Sequence, residues 1–132
     1  MCFSVELLQG EPIVIVTVQP TFDPLINYDS LFSQLGSVLR GVPGPIYRIT
    51  ELLAGQITFS DMTTAIEQEA NSGKPGSTGD ARIRSILVSR ALLAQTAVST
   101  IARDQYGGLD VPLFGTLSEA LAYARAELAK EL

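Results

Sequence analysis

Residues 46–64 read IYRITELLAGQITFSDMTT. In the leading half Ile46, Arg48 and Thr50 alternate with Tyr47 and Ile49, the period of a strand, so residues 46–53 are expected to form one with both faces needing cover. Ala54, Gly55 and Gln56 loosen the chain, and Ile57 and Phe59 supply apolar anchors. Ser60 followed by Asp61 reads as a helix start, because a serine hydroxyl satisfies a free amide and a carboxylate meets the positive end of the helix dipole. Met62, Ala65, Ile66 and Ala70 then recur at helical spacing as a buried stripe, with Glu67 and Glu69 expected to face outward. A strand leading straight into an amphipathic helix is part of an α/β unit, and its partner strands are sought on either side.

Upstream, Phe3 to Leu8 alternates loosely, QGEP makes a turn, and IVIVTV at 13–18 is a β-branched run, which together predict a hairpin. Pro20 and Pro24 end the second strand, since proline neither donates a ladder hydrogen bond nor lets its predecessor turn helical easily. Leu31, Phe32, Leu35, Val38 and Leu39 place an amphipathic helix at about 27–39, with Asn27 or Asp29 able to cap it, and Gly41 with PGP at 43–45 stops it.

Downstream, NSGKPGSTGD at 71–80 holds three glycines, a proline and two serines and reads as a mobile surface loop. Its glycines, lysine and hydroxyls prompt the question of phosphate binding, but the order of a P-loop is absent and no strand directly precedes it. Arg82-Ile83-Arg84 leads into the short apolar strand SILVS; Ser89 is placed to cap a helix over 91–106 whose stripe takes Leu92 or Leu93, Thr96, Ala97, Thr100 and Ile101. Gly107-Gly108 ends that helix, 111–114 is the last strand, and Thr116-Leu117-Ser118-Glu119 opens the last helix as a T-x-x-E capping box. Leu117, Ala120, Leu121, Ala124 and Leu128 form its inner face.

The 132 residues fit one domain spanning 1–132, with 46% hydrophobic and 17% charged residues, enough apolar side chain for a packed core and far from the composition of disorder. A net charge of -5 repels polyanions at long range, which argues against nucleic acid as partner. There is no histidine, and Cys2 is the one cysteine, so a Ser-His-Asp arrangement and an intramolecular disulfide are both excluded and any metal site would rest on carboxylates. The start MCFSVELLQG lacks the regions of a signal peptide and the longest apolar run, IVIVTV, is far short of the roughly 20 residues a membrane span needs. A cytoplasmic location is the expectation.

The element order β, β, α, β, α, β, α, β, α predicts a single α/β domain: a mostly parallel mixed sheet of about five strands, an N-terminal antiparallel hairpin, and about four helices packed on it. Ligands of open sheets gather at the carboxyl ends of the strands, here near 19–23, 53–60, 89–90 and 115–116. This order, with IRSILVS, a helix, and then GGLDVPLFGTLSEALAYARAEL, resembles the STAS domains of anti-sigma-factor antagonists, and within them the SpoIIAA-like branch. The pattern F-x-T-L-x-E-A-L-A-Y at 114–123 carries most of the resemblance, which extends over about residues 5–130.

The resemblance implies a non-enzymatic regulatory or protein-interaction module, in which a serine at the start of the helix after the third strand accepts a phosphate from a partner kinase. By position that serine is Ser60, with Asp61, Thr63 and Thr64 in the same partner-facing turn. Here the stretch reads Phe59-Ser60-Asp61-Met62 in place of the branch's D-S-[SG]-G, and a cap is the plain structural role of Ser60. A second reading is a carrier of a small apolar or lipid-like ligand, since Phe22, Phe59 and Phe114 all fall at strand ends, although each alone also reads as core. Acid–base chemistry by Glu51 with Asp61, or Asp23 with Asp29, is the weakest reading, because nothing in their spacing forces either pair together. Arg82, Arg84 and Arg90 flank one strand and are expected to pair with surface carboxylates rather than bind an anion. No cofactor is implied; the expected partners are another protein, a small apolar ligand, or a second copy of the chain as a homodimer.

Overall fold

The computed structural model describes residues 2–53 and 58–131. In chain order the elements are β1 Phe3–Leu7, β2 Ile13–Val18, α1 Tyr28–Val38, β3 Ile46–Leu52, α2 Phe59–Asn71, β4 Ile83–Val88, α3 Leu92–Ile101, a 3-10 turn Asp104–Tyr106, β5 Leu113–Phe114 and α4 Leu117–Lys130. They form an α/β domain with a five-stranded mixed sheet in the order β1-β2-β3-β4-β5. The hairpin β1/β2 is antiparallel, with Val5 opposite Val16, and the pairs β2/β3, β3/β4 and β4/β5 are parallel.

Strand parity divides the core in two. Val14, Val16, Ile46 and Ile83 face α1, whose Leu31, Phe32 and Leu35 lie on one side of the helix. Ile13, Tyr47, Ile49, Ile86 and Val88 face the opposite way and are covered by Ala120 and Ala124 of α4. The small side chains let α4 approach the sheet closely, and Leu117, Leu121 and Leu128 complete that layer. A third cluster, Met62, Ile66 and Ile101, joins α2 to α3.

Several local expectations are revised. The helix α2 is capped by Thr58, whose Oγ1 accepts the Asp61 N–H at 3.0 Å, while Ser60 sits inside the first turn. Thr58 has the extended backbone of an N-cap (φ −78°, ψ 155°) and stands three residues before an acidic side chain, the spacing of a capping box. Glu69 points inward and is 9% exposed. The loop after α2 turns back onto the domain, burying Gly76 and Ser77, and is a packed loop rather than a purely surface one. The third helix is shorter than 91–106, and Ala91 holds its N-cap position. Ser89 instead accepts the Ala91 N–H at 3.1 Å. Leu92 is 89% exposed, and the buried stripe of α3 is Ala94 and Ile101 with Leu93 and Ala97 partly covered. Asn27 stands before α1 without capping it; its Oδ1 accepts the Asp23 N–H at 2.7 Å. The last strand is only Leu113–Phe114. The Thr116 box forms as expected: Oγ1 accepts the Glu119 N–H at 3.2 Å and donates to Glu119 Oε1 at 2.8 Å.

No helix among the described residues is long and apolar enough to cross a membrane.

Candidate functional site

Between the sheet and the helices α2 and α3 lies a cavity of about 200 Å³. Thr50 and Leu87 rise into it from β3 and β4, Ala65 and Met62 border it from α2, and Leu93 and Ala97 from α3. Gln19 and Pro20, just past the end of β2, and Asp61 in the first turn of α2 also line it, so it lies toward the carboxyl ends of the parallel strands, where open α/β sheets place their ligands. The wall is mostly apolar. At its inner end Arg48, Glu69, Tyr28, Thr78 and Ser85 form a polar patch.

That patch is built around two buried charges. Arg48 is 1% exposed because it shares strand parity with Ile46 and Thr50 and so enters the helix-covered layer. Its Nη1 donates to Glu69 Oε1 at 2.6 Å and its Nη2 to Glu69 Oε2 at 2.7 Å, and Nη1 also donates to the Gly76 carbonyl at 3.0 Å. The planar guanidinium matches the carboxylate with two parallel bonds, the strong form of this pair. Glu69 further accepts from Tyr28 Oη at 3.1 Å, Thr78 N at 3.0 Å and Thr78 Oγ1 at 3.2 Å. Burial pushes the Glu69 carboxyl upward, but the Arg48 charge and these hydrogen bonds outweigh it and hold the group below the usual carboxylate range. Burial and the neighbouring Glu69 charge push the Tyr28 phenol well above its ordinary value. Among the described residues, Arg48 Nε has no hydrogen-bond partner.

Of the three aromatic residues expected to line a ligand site, Phe22 borders the cavity, edge-on to Tyr28 with ring centres 5.2 Å apart. The other two are elsewhere. Phe114 lies on the opposite face of the sheet against Tyr123, at 5.3 Å, because Phe114 is paired with Val88 and shares its parity. Phe59 is 67% exposed, so it is not the apolar anchor expected of it, and Ile57 falls outside the described residues.

Ser60 is exposed beside Phe59; Asp61, Thr63 and Thr64 are half-buried, and Thr63 Oγ1 donates to the Phe59 carbonyl at 3.0 Å. Leu25, Ile26 and Leu92 are also largely exposed and Leu53 about half so, and all lie in segments that follow a strand. The three arginines around β4 do not converge. Arg82 pairs with Asp80 at 3.0 Å and donates to the carbonyls of Leu39 and Val42, while Arg90 Nε donates to the Gly115 carbonyl at 3.2 Å beyond the other end of the strand. Arg84 is exposed.

The residues sequence reasoning missed are Arg48 and Glu69. A signal was present for each: Arg48 alternates in phase with Ile46, and Glu69 lies three residues after Ile66 and seven after Met62, on the same helical stripe.

No protein-family profile matches the chain, and no curated protein does. Among solved structures, the chain is similar to an uncharacterised protein of the DUF3478 family with a SpoIIAA-like fold, from Shewanella loihica PV-4, at 2.25 Å resolution. The match has a TM-score of 0.58 at 13% identity and covers 92% of this chain and 90% of that one. The chain therefore has a SpoIIAA-like α/β fold, as the resemblance carried by residues 114–123 implied.

Proposed function

We propose that the protein is a non-enzymatic binding module that holds a small, largely apolar molecule at the carboxyl ends of its parallel strands. The observation that supports this reading is the cavity of about 200 Å³ walled by Leu87, Leu93, Ala97 and Met62. A dry apolar cavity of roughly 150 Å³ takes up benzene, so this one has room for a slightly larger molecule or for the inner end of one that reaches the mouth. Native mass spectrometry of the protein isolated gently from its own cells tests it: a co-purifying small molecule released on denaturation is expected. A protein that is empty there, and that no apolar probe of this size stabilises, overturns the reading.

A regulatory role through a protein partner is the second reading, favoured by the exposure of Ser60 and Phe59 side by side at the start of α2. A phosphate on Ser60 would sit beside the amides and positive dipole end of the helix while adding negative charge to a surface that already carries Asp61. Phosphopeptide mass spectrometry from native cells tests it, and an unmodified Ser60 under all growth conditions sinks the switch.

A further inference from the structure

The polar patch at the inner end of the cavity has a fixed direction. Both Glu69 oxygens are carboxylate acceptors already engaged: Oε1 by Arg48 Nη1, Thr78 N and Thr78 Oγ1, and Oε2 by Arg48 Nη2 and Tyr28 Oη. A carboxylate cannot donate, so the single hydroxyl hydrogen of Thr78 is committed to it. Thr78 Oγ1 also lies 2.8 Å from Ser85 Oγ. With the Thr78 hydrogen used, that contact requires the hydrogen of Ser85. The order is Ser85 to Thr78 to Glu69, and Ser85 Oγ is left with lone pairs and no hydrogen to give.

Ser85 lines the cavity from β4, one strand away from Thr50. The charges beneath it balance, one guanidinium against one carboxylate. A ligand bringing a charge of its own into this layer would leave it unpaired in a low-dielectric place, a large penalty. We infer that the cavity selects an uncharged molecule, mostly apolar, that carries one hydrogen-bond donor such as a hydroxyl, accepted by Ser85 Oγ. This inference rests on the ligand-binding reading above and specifies its chemistry.

One-ring probes of near-equal size separate the two. Benzyl alcohol, its isomer anisole, ethylbenzene, benzoate and benzylammonium are titrated into the full chain and followed by NMR shifts of the cavity residues. Benzyl alcohol is expected to bind about three- to tenfold tighter than anisole, the factor a single net hydrogen bond supplies, and the two charged probes weaker than either. In Ser85→Ala the advantage over anisole disappears while ethylbenzene binds as before. Anisole equal to benzyl alcohol in the unaltered protein, or a charged probe tighter than the alcohol, overturns the inference and leaves the ligand site standing. Binding of none of the five overturns both. Should Ser85→Ala fail to fold, the comparison of the two isomers on the unaltered chain decides alone.

Discussion

Arg48 on β3 and Glu69 on α2 meet in a side-by-side pair, Nη1 to Oε1 at 2.6 Å and Nη2 to Oε2 at 2.7 Å, with the guanidinium 1% exposed. The pair ties the crossover helix to the sheet and forms the inner end of the cavity. Its energetic meaning follows from desolvation: two buried charges are tolerable together and costly apart.

Removing one partner is therefore expected to be far worse than removing both. Glu69→Ala or Arg48→Ala should cost about 3–5 kcal/mol, and the double change Arg48→Met with Glu69→Leu much less, or nothing. Urea unfolding of the three variants checks it, and additive costs for the double variant would refute the coupling.

The same pair sets the acid limb of stability. Glu69 is held below the ordinary glutamate value in the folded chain, so its contribution is complete above the unfolded value of about 4.3 and is lost as pH falls through the lower folded value. Asp80 adds slope of the same sign: burial raises its pKa, but Arg82 and the amides of Gly76 and Arg82 together lower it. Stability measured from about pH 5 downward, roughly the onset of this region, should fall with acid, and less steeply in the Arg48→Met, Glu69→Leu variant.

Thr58 and Ser60 should respond differently to truncation. Thr58→Ala removes the acceptor of the Asp61 N–H and is expected to cost about 1 kcal/mol. Ser60→Ala removes an exposed hydroxyl and should stay within about 0.5 kcal/mol. Thermal or chemical denaturation distinguishes them; equal costs would restore Ser60 as the cap.

Gly76 is confined on two counts. Its φ is +85°, and a Cβ placed there would lie 2.7 Å from Leu35 Cβ, while its carbonyl accepts from Arg48. Gly76→Ala is expected to lose on the order of 1–3 kcal/mol, visible as a lowered melting temperature. A neutral result would mean the loop does not pack on α1.

Ala97 borders the cavity from α3. Ala97→Leu should fill part of the space, abolish probe binding in the titration, and leave the melting temperature equal or higher, because added apolar contact replaces empty volume. Unchanged binding would place the ligand elsewhere.

The sequence by itself determined the order and kind of the elements. The β-branched run 13–18, the apolar run 85–89, the glycine and proline stops, and the Thr116 box act locally, through backbone preference and period, and those rules need no knowledge of neighbours. From the order followed the parallel crossovers of an α/β domain, and the pattern at 114–123 carried the resemblance to the SpoIIAA-like fold. Only the tertiary structure decided where the polar groups went. Period reading treats Glu69 as outward because it is charged, and a charge becomes buried only when a partner from a distant strand neutralises it; Arg48 lies 21 positions away. Phe114 and Phe22 both fall near strand ends along the chain, yet Phe114 follows the parity of Val88 to one face while Phe22, past the end of β2, packs on the other. Local pattern places a residue on an element, whereas the cavity and its buried pair exist only where several elements meet.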